Sequence, residues 1–168
     1  MGELTAASSG VILNESRSTS LTLDPEAQLP LLDVPDAFQI EVPDDWETMA
    51  TAGREYTLTP GEDSGLRLNI VVYGARNKKD VTPAFITAAV RTWATSIGVE
   101  ESETFTVLTP TGGETPRAFA SIPRDNRNIY VGFFYFKKSF VVAAGSALPE
   151  DRAGFARVEQ MVWSIEAG

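Results

Sequence analysis

Apolar residues occupy both alternating faces of one stretch near the middle of the second half of the chain, "NIYVGFFYF" at 128–136. A strand with one face in water alternates apolar and polar residues, so this strand is predicted to be covered on both sides. Lys137 and Lys138 then mark a turn, after which "SFVVAAG" returns as a second apolar strand. The pattern predicts the central hairpin of an antiparallel sheet.

Weaker period-two patterns predict the remaining strands of this sheet. They lie at 38–42, 54–60, 66–74, 104–110 and 115–123. Short clusters rich in glycine, proline and aspartate separate neighbouring strands, and connections this short favour antiparallel pairing.

Two segments change to the period of an amphipathic helix. At 82–97, Thr82 is suited to cap the N-terminus and Pro83 to the first helical position. The predicted buried stripe of this helix is Ile86, Val90, Trp93 and Ile97, with Phe85 and Ala89 beside it.

The second helix is predicted at 149–165, where Pro149 and two acidic residues favour an N-terminus. Its predicted buried stripe is Phe155, Val158, Val162 and Ile165. Placed on opposite faces of the sheet, the two helices would cover both sides of the central hairpin.

The order of elements predicts an α+β fold. We expect an antiparallel sheet of about six to seven strands flanked by helices on both faces, in three layers. Residues 34–168 are predicted to form one domain. Residues 1–33 are small and polar with short apolar pieces, which predicts an N-terminal arm that is partly extended or contributes edge strands.

The composition excludes several classes of chemistry. The 168 residues include no cysteine and no histidine, so a thiol nucleophile, an imidazole base and a thiolate or imidazole zinc site are absent. No glycine-rich phosphate loop is present. Carboxylates remain, but none has the spacing of a calcium loop or of a defined acid/base pair. We therefore predict a protein that is not an enzyme and that carries no metal or cofactor.

The charge balance bears on partners and compartment. A formal charge of −9 argues against nucleic acid as a partner. The longest apolar run, "IYVGFFYF", is far short of the ~20 residues of a membrane helix. The first residues do not have the pattern of a signal peptide, so the expected compartment is the cytoplasm. The alternative is an extracytoplasmic protein whose leader has been removed.

Five residues are candidates for contacts with a partner. Trp46 follows Asp44 and Asp45 in a loop, where a tryptophan either closes the end of the core or meets a partner. Trp163 lies off the centre of its helical stripe, and Tyr135 belongs to the doubly apolar strand. Trp93, by contrast, fits the helical stripe and is predicted to be core.

The stretch "FQIEVPDDW" at 38–46 matches a recurring opening, an alternating strand followed by Pro-x-x-Trp. After it come two strands, a helix, a meander whose last hairpin is rich in phenylalanine and tyrosine, and a closing helix. Over residues 34–166 this order resembles the PsbP-like fold superfamily, which includes Ran-binding import factors, DcrB- and LpqN-type proteins and Eag-type chaperones. The resemblance implies an antiparallel sheet with helices on both faces, no shared catalytic residues, and members that mostly bind proteins.

Two functions follow as hypotheses. The first is a non-catalytic protein-binding module, an adaptor, chaperone or assembly factor, acting as a monomer or homodimer on a partner that the sequence does not identify. The alternative is an extracytoplasmic lipoprotein-type domain that binds a small apolar ligand or lipid. Both leave one question open, namely whether two short helices can cover every aromatic ring at 133–136.

Overall fold

The computed structural model of the protein describes residues 30–51, 53–74, 81–110, 113 and 115–168. Most of the predicted N-terminal arm, residues 1–29, lies outside the described residues, so the proposed boundary at residue 33 stays a prediction. The segment Leu31–Val34, which crosses that boundary, forms a strand.

In the described part of the chain, the larger of two sheets has seven strands, which in chain order are β3 (Glu47–Thr51), β4 (Glu55–Thr59), β5 (Arg67–Gly74), β6 (Val107–Leu108), β7 (Arg117–Pro123), β8 (Asn128–Tyr135) and β9 (Ser139–Ala147). All of them pair antiparallel, in the spatial order β3–β4–β5–β9–β8–β7–β6. The predicted hairpin at 128–145 is β8–β9, and β9 occupies the centre of the sheet. The α+β class and the antiparallel sheet are confirmed.

The described residues also form a second sheet of three strands, which was not expected from the sequence. It consists of β1 (Leu31–Val34), β2 (Phe38–Glu41) and β10 (Glu166–Ala167), with β2 in the middle. The predicted strand at 38–42 therefore leaves the large sheet, because the chain turns at Pro43, where the carbonyl accepts a hydrogen bond from Trp46 N. Ser139 Oγ donates to the Ala37 carbonyl and ties the small sheet to β9.

Both helices form where the pattern places them. Helix α1 (Pro83–Ser96) is capped by Thr82 Oγ1, which accepts a 3.1 Å hydrogen bond from Phe85 N. Helix α2 (Arg152–Trp163) is capped by Asp151, whose carboxylate accepts from Gly154 N. Helix α2 ends two residues before the predicted end at 165.

The two faces of the hairpin lie in separate cores, which explains its double apolarity. The α1 face of the sheet carries Ile129, Val131 and Phe133, packed in one cluster with α1. The α2 face carries Tyr130 and Phe134, packed in the other cluster with α2 and the small sheet. The predicted covering of one face by each helix is confirmed.

Two glycines on the α2 face let α2 approach the sheet closely. A Cβ atom at Gly132 would lie 2.6 Å from Val162 Cγ1, and one at Gly145 would overlap Val158 Cγ1. Helix α2 consequently packs directly on β8 and β9, whereas α1 makes its main sheet contacts with β7, nearer one edge.

Helix α1 lies nearer the edge of the sheet than its centre, and the residues it buries differ from the predicted stripe. Ile86, Val90 and Ala94 are buried, whereas Trp93 and Ile97 are only half-buried. Trp93, predicted to be core, packs against the α1-side core but is only half-buried, because one side of it faces the open space next to α1. A strip of the α1 face beside this helix is therefore left open.

Candidate functional site

An open groove of about 500 Å³ lies between α1 and the strands β5, β9 and β8. We call it the aromatic groove. Small side chains of α1 line part of it, and six aromatic residues form most of its floor and wall, namely Tyr73, Phe85, Trp93, Phe133, Tyr135 and Phe140. All four rings at 133–136 are buried, so the question raised by the sequence is answered in favour of their coverage. The accessible aromatic surface of the groove comes instead from Tyr73, which is exposed, and from the half-buried Phe140 and Trp93.

The floor is a row of three rings that the sheet register brings together. Phe140 of β9 is directly opposite Tyr73 of β5 on one side and Tyr135 of β8 on the other. The ring centroids of Phe140 and Tyr135 are 4.3 Å apart and nearly parallel, and those of Phe140 and Tyr73 are 5.4 Å apart. Tyr135, at the inner end of this row, is buried, whereas Tyr73 at the outer end is 47% exposed.

The wall is the side of α1 that faces the middle of the sheet. Phe85 contacts Tyr135 edge-on at a centroid distance of 6.1 Å, and Trp93 contacts Phe133 edge-on at 6.4 Å. Between these two aromatic residues the helix presents alanine, including Ala89. The small side chain leaves the space that a larger one would fill.

The chemistry of the groove is that of apolar binding. None of the described residues that line it is charged, and their polar side-chain groups are the indole N–H of Trp93 and hydroxyls such as those of Tyr73, Thr92 and Ser96. Among the described residues, its lining has no carboxylate or amine to exchange a proton with a substrate. Stacked and edge-on rings with an open side instead suit an apolar or aromatic group.

Trp46, the first contact candidate from the sequence, lies at the end of the α2-side core and is only 6% exposed. Arg157 covers its ring at 5.8 Å and forms a 2.8 Å ion pair with Asp45. The hydrogen bond from this guanidinium lowers the pKa of Asp45. Asp44 is exposed beside them. In this arrangement the Trp46 ring closes one end of the core.

Trp163 lies on a different surface, at the C-terminal end of α2. Its ring stacks on Phe119 at a centroid distance of 3.8 Å, and its Nε1 donates a 2.6 Å hydrogen bond to the Tyr130 hydroxyl. The guanidinium of Arg117 is 5.7 Å from the same indole. Burial raises the pKa of Tyr130 to about 12, although the bond from Trp163 opposes the shift. With 38% exposure, Trp163 is part of a second, smaller aromatic surface.

The five predicted contact residues thus do not form one site. Tyr135 lies in the floor of the aromatic groove, Trp163 lies on the α2 side, and Trp46, Asp44 and Asp45 lie at the end of the α2-side core. Sequence reasoning missed Tyr73 and Phe140 as groove residues. In the sequence, both residues lie in strands that are rich in apolar residues, and this was the signal that could have identified them. Only the pairing of β9 with β5 and β8 shows that Tyr73, Phe140 and Tyr135 are neighbours.

Two further classes of site were sought in the described part of the chain. No group of three or more acidic residues there is arranged to hold a metal ion. No helix within the described ranges is long and apolar enough to cross a membrane.

Comparisons with known proteins concern the fold. No protein-family model and no curated protein matches the chain. The solution structure of cyanobacterial PsbP (CyanoP) from Synechocystis sp. PCC 6803 is similar over 89% of this chain and 98% of that one, with a TM-score of 0.62 and 12% identity.

A crystal structure from Bacteroides thetaiotaomicron VPI-5482 is similar over 84% of this chain, with a TM-score of 0.53 and 12% identity. The present chain spans about half of that protein, 49% of its length. The two similarities confirm the predicted PsbP-like fold, and at this identity they show the fold alone.

Proposed function

We propose that this PsbP-like domain is a non-catalytic binding module that holds an apolar segment of another protein in the aromatic groove. The observation that carries the proposal is the position of α1, which leaves the stacked row of Tyr73, Phe140 and Tyr135 at the base of an open groove. An accessory or binding role also accords with the PsbP-like fold.

The energetics of such a groove favour a side chain as its occupant. Burying one large apolar side chain is worth about 1.5–3 kcal/mol, and aromatic contacts add about 0.5–1.5 kcal/mol each. Interface residues that contribute most to binding are often tyrosine and tryptophan, and the groove supplies Tyr73 and Trp93. The rings are held by cross-strand and helix contacts, so little ordering is needed on binding.

The case against catalysis rests on what the sequence and the groove contain. The chain has neither histidine nor cysteine, and the described lining of the groove has no ionisable acid or base of ordinary catalytic pKa. The proposal is therefore recognition without chemical turnover, and the protein-binding role is proposed for the cytoplasm.

Site-specific photo-crosslinking in the native host tests this function. A photoreactive amino acid at Thr92, which lines the groove, is expected to capture a discrete protein partner. The same group at Thr95, exposed on another side of α1, is the matched control. Equal capture at both positions, or no protein adduct at Thr92, would contradict the proposed function.

A small apolar ligand or lipid is the second candidate, because the same uncharged, aromatic lining would bind it. This role is proposed together with an extracytoplasmic location. Native mass spectrometry of the protein purified from its host distinguishes the two candidates. A bound small molecule that is lost in a Trp93→Ala variant, with no protein adduct at Thr92, would favour the ligand-binding role. Fractionation of the host cell tests the compartment.

A further inference from the structure

Strand β3 lies at one edge of the large sheet. All five residues of Glu47–Thr51 are exposed, and among the described strands only β4 is hydrogen-bonded to it. The strand contains neither lysine nor proline, the residues that commonly protect a sheet edge. The strand at the opposite edge, β6, has only two residues, and a very short edge strand is itself protected against pairing. Of these two edges, β3 is therefore the one that is open to a further strand.

The ladder between β4 and β5 shows which backbone groups of β3 point outward. Val72 N donates a 2.9 Å hydrogen bond to the Arg54 carbonyl. These two residues are opposite each other in the register of β4 and β5, so the even-numbered residues of β4 are bonded to β5. The odd-numbered residues of β4 are then bonded to β3, and the register pairs them with the odd-numbered residues of β3. Because successive residues direct their backbone groups to alternate sides, the N–H and C=O groups of Thr48 and Ala50 point outward.

We propose that β3 pairs antiparallel with β3 of a second copy of the chain, in the register centred on Met49. Thr48 of each copy then faces Ala50 of the other, and each of these two pairs exchanges two backbone hydrogen bonds. Every outward N–H and C=O group of the strand is used. The contact is isologous, with a two-fold axis that passes between the two Met49 residues.

Other registers of the same pairing leave part of the edge unused. A register centred on Thr48 places Ala50 opposite Trp46, whose N–H already donates to the Pro43 carbonyl. A register centred on Ala50 places Thr48 opposite a residue beyond the end of the strand. The register centred on Met49 is thus favoured by the hydrogen-bonding groups of β3 itself.

The side chains of β3 also suit the two-fold arrangement. Met49 is 59% exposed in the single chain, and in the dimer it lies directly opposite Met49 of the second copy. This is a non-hydrogen-bonded pair, in which Cα atoms approach to about 4.5 Å and the side chains cover each other. Glu47 lies opposite the uncharged Thr51, so no like charges face each other across the ladder.

The proposed dimer joins the two large sheets at their β3 edges and keeps equivalent faces on the same side. Met49 shares a row of directly opposite residues with Val131, which packs in the α1-side core. Because the axis is perpendicular to the sheet, both aromatic grooves open on the same side of the joined sheet. The inference does not depend on the function proposed for the groove.

A second copy is favoured over a strand of another protein because the edge complements itself in both hydrogen-bonding groups and side chains. The contact is nevertheless short, and each chain carries a charge of −9. We therefore expect a weak dimer whose population rises with protein concentration.

Analytical ultracentrifugation of the full chain over a wide concentration range tests the dimer and its surface. Met49→Lys places two like charges at the axis and should raise the dissociation constant at least about tenfold. Leu108→Lys is the matched control, since Leu108 is 54% exposed at the opposite edge of the sheet, and it should leave the dissociation constant unchanged. Thermal unfolding verifies that both variants are folded.

Engineered cysteines test the register, since the protein has no cysteine of its own. The expected Cα separation of the two Met49 residues lies within the range of a disulfide. Under mild oxidation, Met49→Cys should form a linked dimer at least about tenfold faster than Leu108→Cys. Glu47→Cys should also be slower than Met49→Cys, because residue 47 faces residue 51 of the other copy.

Four results would overturn the proposal. A monomer at every concentration would exclude the dimer and leave the edge to a strand of another protein. A dimer that is equally stable in wild type and Met49→Lys would place the contact elsewhere on the chain. Linking of Met49→Cys no faster than that of Leu108→Cys would do the same, and linking of Glu47→Cys as fast as Met49→Cys would exclude the register.

Discussion

The Tyr130 hydroxyl accepts a 2.6 Å hydrogen bond from Trp163 Nε1. This bond links β8, the strand next to the central strand β9, to the last residue of α2. The contact anchors the C-terminal end of the helix and orients the indole on Phe119. Burial of the hydroxyl raises the pKa of Tyr130, and the hydrogen bond from Trp163 opposes that shift. Trp163, one of the predicted contact residues, therefore stabilises the packing of α2 on the sheet, whether or not it also contacts a partner.

Stability at high pH should report the raised pKa of Tyr130. Its folded-state pKa of about 12 exceeds the ordinary value of 10.0, so the folded protein retains the proton that the unfolded chain loses. The contribution of this group to stability is complete below pH 10 and is lost as the pH rises from 10 to 12. Urea unfolding across that range should show a steeper loss in the wild type than in Tyr130→Phe. Equal slopes in the two proteins would contradict this prediction.

Alanine at Gly145 should destabilise the protein by about 1–3 kcal/mol, because the added methyl group would overlap Val158 of α2. Gly74→Ala is the matched control, since a Cβ there meets nothing within 4 Å. Its free energy of unfolding should change by less than about 0.5 kcal/mol. Chemical denaturation measures both values. If Gly145→Ala were as stable as Gly74→Ala, the close approach of α2 to the sheet would be wrong.

Replacing Trp46 by phenylalanine should cost far less stability than replacing it by alanine. The ring is buried, but Nε1 has no hydrogen-bond partner in the described part of the protein, so phenylalanine removes an unpaired donor while keeping most of the packing. Alanine leaves a cavity at the end of the core and should cost about 3–5 kcal/mol. Thermal and denaturant unfolding compare the two variants. Similar losses in both would show that the indole nitrogen matters to the fold.

Tyr73→Ala should weaken binding of the partner captured at Thr92 by on the order of tenfold, equivalent to about 1.4 kcal/mol. Tyr73 is the exposed end of the stacked row, so its loss removes contact area with little effect on the core. Met49→Ala provides the control, since Met49 is also exposed but lies outside the groove. Isothermal titration calorimetry with the identified partner measures the change. An equal effect of both substitutions would place the binding surface elsewhere.

Particular elements show why part of the fold was predictable from the sequence. The strand at Asn128–Tyr135 has apolar residues on both faces, and only coverage of both faces is compatible with that pattern. The caps at Thr82 and Asp151 are local signals, because each side chain bonds a backbone N–H three residues later. Strand β3 was missed because its five residues are all exposed and carry no apolar alternation.

The candidate site was less predictable, since it depends on long-range pairing. Tyr135 was selected from its strand, but Tyr73 and Phe140 become its neighbours only through the order β5–β9–β8. Trp93 fits a buried helical stripe by spacing, yet it lines the groove because α1 packs towards β7. The periodicity of a helix identifies its apolar side but does not fix its lateral position on a sheet.

The sequence by itself determined the α+β class, the antiparallel central hairpin, the two helices and the lack of histidine and cysteine chemistry, because each follows from local periodicity or residue type. Only the tertiary structure decided that residues 38–41 join a second sheet, that Trp46 is enclosed, and that a groove with the exposed Tyr73 at its outer end lies beside α1. The physical reason is close packing. Gly132 and Gly145 admit α2 to the centre of one face, while the larger rings on the other face leave α1 nearer the edge.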